Sequence, residues 1–117
     1  MRVPQHPTLL RRMLQGRTRS LTARGPVLTA SLVRIAKHCG RTGCRCQKGQ
    51  KHVGNYLTFK VAGKTRTVYV PLDMVAEVRG WIAEGRRLKV LMRESSVLAV
   101  ALVASHVSER RRKAGRS

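Results

Sequence analysis

No acidic residue occurs before Asp73. A surface built from those first residues is almost purely cationic, and it has no carboxylate to act as a general base or to complete a catalytic metal site. Over the whole chain there are five Asp and Glu against 25 Lys and Arg, a net charge of +20. The five (Asp73, Glu77, Glu84, Glu94 and Glu109) form no pair with obvious metal-site spacing, and no Ser/His/Asp set is suggested. An enzyme is therefore not expected. Aromatics are nearly as scarce: Tyr56, Phe59, Tyr69 and Trp81 are all there are. The core must be mostly aliphatic, and a platform for stacking single-stranded bases is poorly supplied, since most of the four are placed as core. The first 25 residues contain no apolar run long enough for a signal peptide, so export is not expected. The one continuous apolar stretch, Val97 to Ala104, is too short to span a bilayer. A cytoplasmic protein is expected, associated with the nucleoid if it binds DNA.

Cysteine is rare too, but its placement is informative. All three fall within eight residues, Cys39, Cys44 and Cys46, and His52 follows six positions after the last. Three thiolates and an imidazole suit tetrahedral zinc in a structural site. Gly40, Gly43 and Gly49 permit the tight turns that such close ligands need. The alternatives are a disulfide, which leaves one cysteine unpaired, and unliganded thiols made acidic by neighbouring cations. Arg41, Arg45, Lys48 and Lys51 surround the expected ligands and would present a basic knuckle.

The remaining chain reads in four segments: 1–25, 26–72, 73–109 and 110–117. Residues 1–25 hold six arginines, and Pro4, Pro7, Gly16 and Gly25 interrupt them. An acid-free, Arg-rich leader is also a feature of mitochondrial presequences, but the prolines and the want of an amphipathic period favour a disordered basic arm. After Gly25-Pro26, residues 28–36 fit a helical face or an alternating strand. A strand over about Leu32 to His38 is the preferred reading because it leads directly into the knuckle.

Asn55 to Ala62 and Thr65 to Val70 alternate as a hairpin around Ala62-Gly63-Lys64. This gathers Lys60, Lys64 and Arg66 near its tip. Pro71 ends the second strand, and Asp73 is placed as a helix N-cap with Glu77 in the first turns. Apolar residues then recur at helical spacing to His106, which is read as a packed residue, with a kink or break expected near Gly85. The apolar-all-round stretch 97–104 needs cover on more than one side, which suggests a homodimer through this helix. Arg110, Arg111, Arg112 and Lys113 close the chain as a second phosphate clamp or a solvated tail.

The sequence resembles a family of small bacterial and phage-associated proteins. Their signature is C-G-x-x-x-C-x-C-x-x-G, then H-G-P-Y, an aromatic-rich hairpin, Y-V-P and a long amphipathic helix. Cys39-Gly40, Cys44, Cys46 and Gly49 match the first part, and His52 matches the histidine. Tyr69-Val70-Pro71 and Arg86-Arg87-Leu88 match the rest. Positions 53–56 depart from it, reading V-G-N-Y, and the strand has fewer aromatics, which speaks against base stacking there. The resemblance implies a metal-binding knuckle on a small sheet, with no established activity.

The expected architecture is α+β: a zinc-stapled antiparallel sheet of about three strands, followed by one long kinked helix or a helical hairpin. The expected function is zinc-stabilised nucleic-acid binding through largely sequence-independent phosphate contacts, with DNA preferred to RNA and no membrane partner. An accessory or regulatory protein of a mobile element or phage fits that description. The alternative is a structural component of a ribosome or other ribonucleoprotein.

Overall fold

A computed structural model describes residues 1–37 and 52–115. Its elements are helix α1 (Pro7–Ser20), strands β1 (Ser31–Lys37), β2 (His52–Val61) and β3 (Lys64–Val70), a 3-10 turn (Leu72–Met74) and helix α2 (Val75–Gly115). The three strands form one antiparallel sheet in the order β1-β2-β3. The chain divides into two compact units, residues 25–85 and residues 1–24 with 86–117. It is α+β, a three-stranded antiparallel sheet and a long helix, as its sequence indicated.

The unit of residues 25–85 is built on period-two alternation. Leu32 pairs with Leu57, which pairs with Val68; Val33 pairs with Tyr56, which pairs with Tyr69. Leu32, Leu57 and Val70 therefore share one face, and Val33, Ile35, Tyr56 and Tyr69 share the other. The first face meets α2. Val70, Val78 and Ile82 are buried together, with Leu28, Leu32, Leu57, Val75 and Trp81 packed around them. Burial of each such aliphatic side chain contributes roughly 1.5–3 kcal/mol. Between β2 and β3 the turn residues Ala62 and Gly63 have φ of 52° and 79°. Positive φ at both central positions matches the right-handed twist of a two-residue hairpin. The ambiguous stretch thus resolves in favour of the strand, since Ser31–Lys37 pairs along its whole length with β2.

Two features of α2 depart from expectation. Asp73 lies inside the 3-10 turn rather than at the N-cap, although its charge still precedes the helix. No break occurs at Gly85, and α2 runs unbroken from Val75 to Gly115. The glycine serves a different purpose. A Cβ placed on it would lie 2.5 Å from the Leu28 carbonyl oxygen and 3.2 Å from its carbon. The Leu28 N–H donates to the Trp81 carbonyl one turn earlier, at 3.1 Å. Gly85 is where the segment entering β1 lies against the helix backbone.

In the other unit the first residues are helical rather than disordered. Pro7 occupies the first turn of α1, where its missing N–H costs nothing, and the His6 Nδ1 accepts from the Thr8 N–H at 3.3 Å. Pro7, Leu10, Met13, Leu14 and Arg17 form the covered stripe, and Leu10 is fully buried. Its counterpart on α2 is Leu98, also fully buried, among half-buried Leu91, Ser95, Ala101 and Leu102. The helices run antiparallel. Ser105 Oγ donates to the Gln5 carbonyl at 3.2 Å, and Arg17 Nε donates to Glu94 Oε1 at 2.9 Å. Arg87 donates to the Ser20 and Thr22 carbonyls at 3.0 and 2.8 Å. Its guanidinium completes the end of α1, where carbonyls lack helical partners.

The two glycines of α2 are predicted to respond oppositely to one added methyl. At Gly80 nothing lies within 4 Å, so Gly80→Ala is expected to raise stability by about 0.5–1 kcal/mol. Gly85→Ala is expected to lower it by about 1–3 kcal/mol, through the forced shift of Leu28. Urea unfolding of both variants checks this, and a stabilised Gly85→Ala would refute the close approach.

Candidate nucleic-acid interface

The candidate residues from the sequence separate into three places. Cys39, Cys44 and Cys46, with Arg41, Arg45, Lys48 and Lys51, lie outside the described residues. His52 is described. It is the first residue of β2, opposite Lys37 at the end of β1, and exposed. The segment carrying the three cysteines therefore connects two directly paired strand ends. Among the described residues no group of three His, Cys, Asp or Glu side chains could hold a metal.

The hairpin cations do not form the single cluster expected of them. Lys60 stands opposite Thr65, Phe59 opposite Arg66, and Val61 opposite Lys64. Alternation places Lys60 on the face with Tyr56 and Tyr69, and Arg66 and Lys64 on the face with Leu57 and Val70. Proximity in sequence suggested a cluster that the pleat divides.

The densest positive charge lies in the helical unit. Residues 1–24 and 86–117 contain fifteen of the 25 basic residues but only two of the five acidic ones, Glu94 and Glu109. Arg11, Arg12 and Arg19 are exposed on α1, and Arg86, Lys89, Arg93 and Arg110 through Lys113 are exposed on α2. Arg17 is held by Glu94, each side chain about 30% exposed (30% and 28%). Arg17 and Arg87 thus have structural work, while the ten named above are exposed. The sequence reading missed the contribution of α1 because it treated the segment as an arm. The stripe Pro7-Leu10-Leu14-Arg17-Leu21 was visible, but a charged residue at its fourth position hid it.

An apolar strip runs along the exposed side of α2. Val97, Val100, Val103 and Val107 are 42%, 69%, 64% and 41% exposed. By three- and four-residue spacing they share a face with Lys89, Arg93, Arg110 and Arg111. His106 is exposed rather than packed. By length and composition α2 is also able to cross a membrane: an 18-residue window reaches a mean hydropathy of 1.5 with 6% of it buried. The apolar stretch is therefore longer than residues 97–104 alone suggested.

Tyr56 and Tyr69 are not core residues either. Their ring centroids lie 5.5 Å apart with planes at 65°, on the sheet face turned away from α2, and Tyr69 is 58% exposed.

The family described as a domain of unknown function, DUF6788, matches residues 11–80. The chain belongs to this family. The DUF6788 match takes in most of α1, the whole sheet and the first turn of α2. The valine strip and the basic end of α2 follow it in the chain. No curated protein and no solved structure is significantly similar to the chain.

Proposed function

We propose that this protein is a zinc-stabilised nucleic-acid-binding module, acting on DNA as an accessory or regulatory factor of a mobile element or phage. The observation that carries the reading is the charge of the helical unit, fifteen basic residues against two acidic, most of the basic ones exposed. A surface of that kind repels its own copies and attracts a polyphosphate backbone. Zinc enters through donor chemistry: three thiols and the imidazole of His52 in fourteen residues, on a segment joining paired strand ends. When bound, the ion supplies a cross-link between those ligands.

Salt dependence tests the electrostatic part. Affinity for a DNA duplex is expected to fall steeply as salt rises. Replacing Arg110, Arg111, Arg112 and Lys113 by Gln is expected to lower the slope of log K against log salt by about 3. A slope near zero in the parent protein would remove the proposal.

Metal analysis tests the other part. Native protein is expected to carry one zinc per chain, and Cys44→Ser is expected to lose it together with thermal stability. Metal-free protein that is fully folded would count against the zinc site and leave the charge argument untouched.

The exposed valines support a homodimer through α2. Val97, Val100, Ala104 and Val107 recur at the three- and four-residue spacing of a helix–helix seam. Two such modules at fixed spacing suit duplex DNA. Lys89, Arg93, Arg110 and Arg111 flank the seam, so self-association is expected to strengthen with salt while DNA binding weakens. Sedimentation equilibrium at low and high salt reads this. Val100→Lys is expected to leave a monomer, and a dimer insensitive to that change would place the contact elsewhere.

A further inference from the structure

We propose that the sheet face carrying Tyr56 and Tyr69 is a stacking surface for the unpaired bases of a single nucleic-acid strand. This deepens the nucleic-acid reading and rests on it.

The two tyrosines are directly opposed in the β2–β3 register and meet edge to face, 5.5 Å apart. Both rings converge on Gly54. A Cβ there would lie 3.0 Å from Tyr56 Cε2 and 3.4 Å from Tyr69 Cε2. The missing side chain lets the rings settle against the strand, so their position is fixed before any ligand arrives. The aliphatic core lies on the opposite side of the sheet, as the contrast between Val70, 4% exposed, and its neighbour Tyr69, 58% exposed, makes plain. Tyr69 is the more accessible of the two rings, and Tyr56 is half-buried.

The surroundings select the occupant. No strand of the sheet contains an acidic residue. By register the tyrosine face also carries Val33, opposite Tyr56, and Ile35, opposite Gly54, then Thr58 and Thr67, with Thr65 and Lys60 toward the turn and His52 at the far end. Aliphatic side chains and threonine hydroxyls beside the rings, a cation farther along the same face and no carboxylate on any strand match a phosphodiester strand with splayed bases. Duplex DNA keeps the faces of its bases stacked inside, whereas a single strand offers them to an aromatic side chain. The scarcity of aromatics in the whole chain counted against stacking. Two of the four standing together on one exposed sheet face reverse that argument.

The test is fluorescence anisotropy of the full chain with a labelled oligothymidylate of about 15 nucleotides, within the usual range of site sizes, and with a duplex of equal length. Tyr69→Leu is expected to weaken single-strand binding about tenfold, and the Tyr56→Leu/Tyr69→Leu pair about a hundredfold. Duplex binding and the salt slope are expected to stay within twofold of the parent. Tyr69→Phe keeps the ring and is expected to bind as the parent does, which separates stacking from a role of the hydroxyl. Far-UV circular dichroism identifies variants that remain folded. A folded Tyr69→Leu protein that binds the single strand as tightly as the parent overturns this inference alone, provided the parent binds with a steep salt slope. A parent that binds neither polymer overturns it together with the nucleic-acid reading.

Discussion

The backbone contact between Leu28 and α2 is the constraint on which the fold of residues 25–85 depends. A chain segment can lie against a helix at this distance only where the helix has no side chain, and Gly85 provides that gap. The Leu28 N–H bonded to the Trp81 carbonyl fixes the entry of β1 relative to the helix. From there Leu32 packs against the cluster of Val70, Val78 and Ile82, and the register carries Leu57 and Val70 to the same face. A glycine in mid-helix costs about 1 kcal/mol relative to alanine. That cost is outweighed by a contact which positions the whole sheet.

Charge is the second constraint, and it acts differently. With five carboxylates for 25 cations, the chain cannot neutralise itself. Glu94 is placed where it is most useful, half-buried between the helices of the other unit and bonded to Arg17. Arg87 spends its donors on the end of α1. These two arginines bind α1 to α2, and the exposed ones around them form the surface that gives the protein its affinity for polyanions in our reading. The same residue type thus serves cohesion and recognition, and burial separates the roles.

Several elements were legible in the sequence because their signals are local. The hairpin was announced by alternation and by a loop at Ala62-Gly63-Lys64; in the structure Lys64 already belongs to β3 and the turn is Ala62-Gly63, both at positive φ. The onset of α2 after Pro71 was legible for a similar reason. Helix α1 was hidden by Arg17 within its apolar stripe and by Pro7, which at the first helical position starts a helix rather than interrupting one. The kink at Gly85 was expected from propensity alone, which knows nothing of a neighbouring chain segment.

The amino-acid sequence by itself determined the charge, the alternation of the strands, the thiol-and-imidazole set and the helical periodicity, because each is a property of residue type and spacing. Tertiary structure alone decided that α1 lies antiparallel on α2, that Lys60 and Arg66 stand on opposite faces, and that Tyr56 and Tyr69 share the face away from the helix. Those outcomes depend on register and on which surface a helix covers. Both are set by contacts between residues tens of positions apart, which no local pattern encodes.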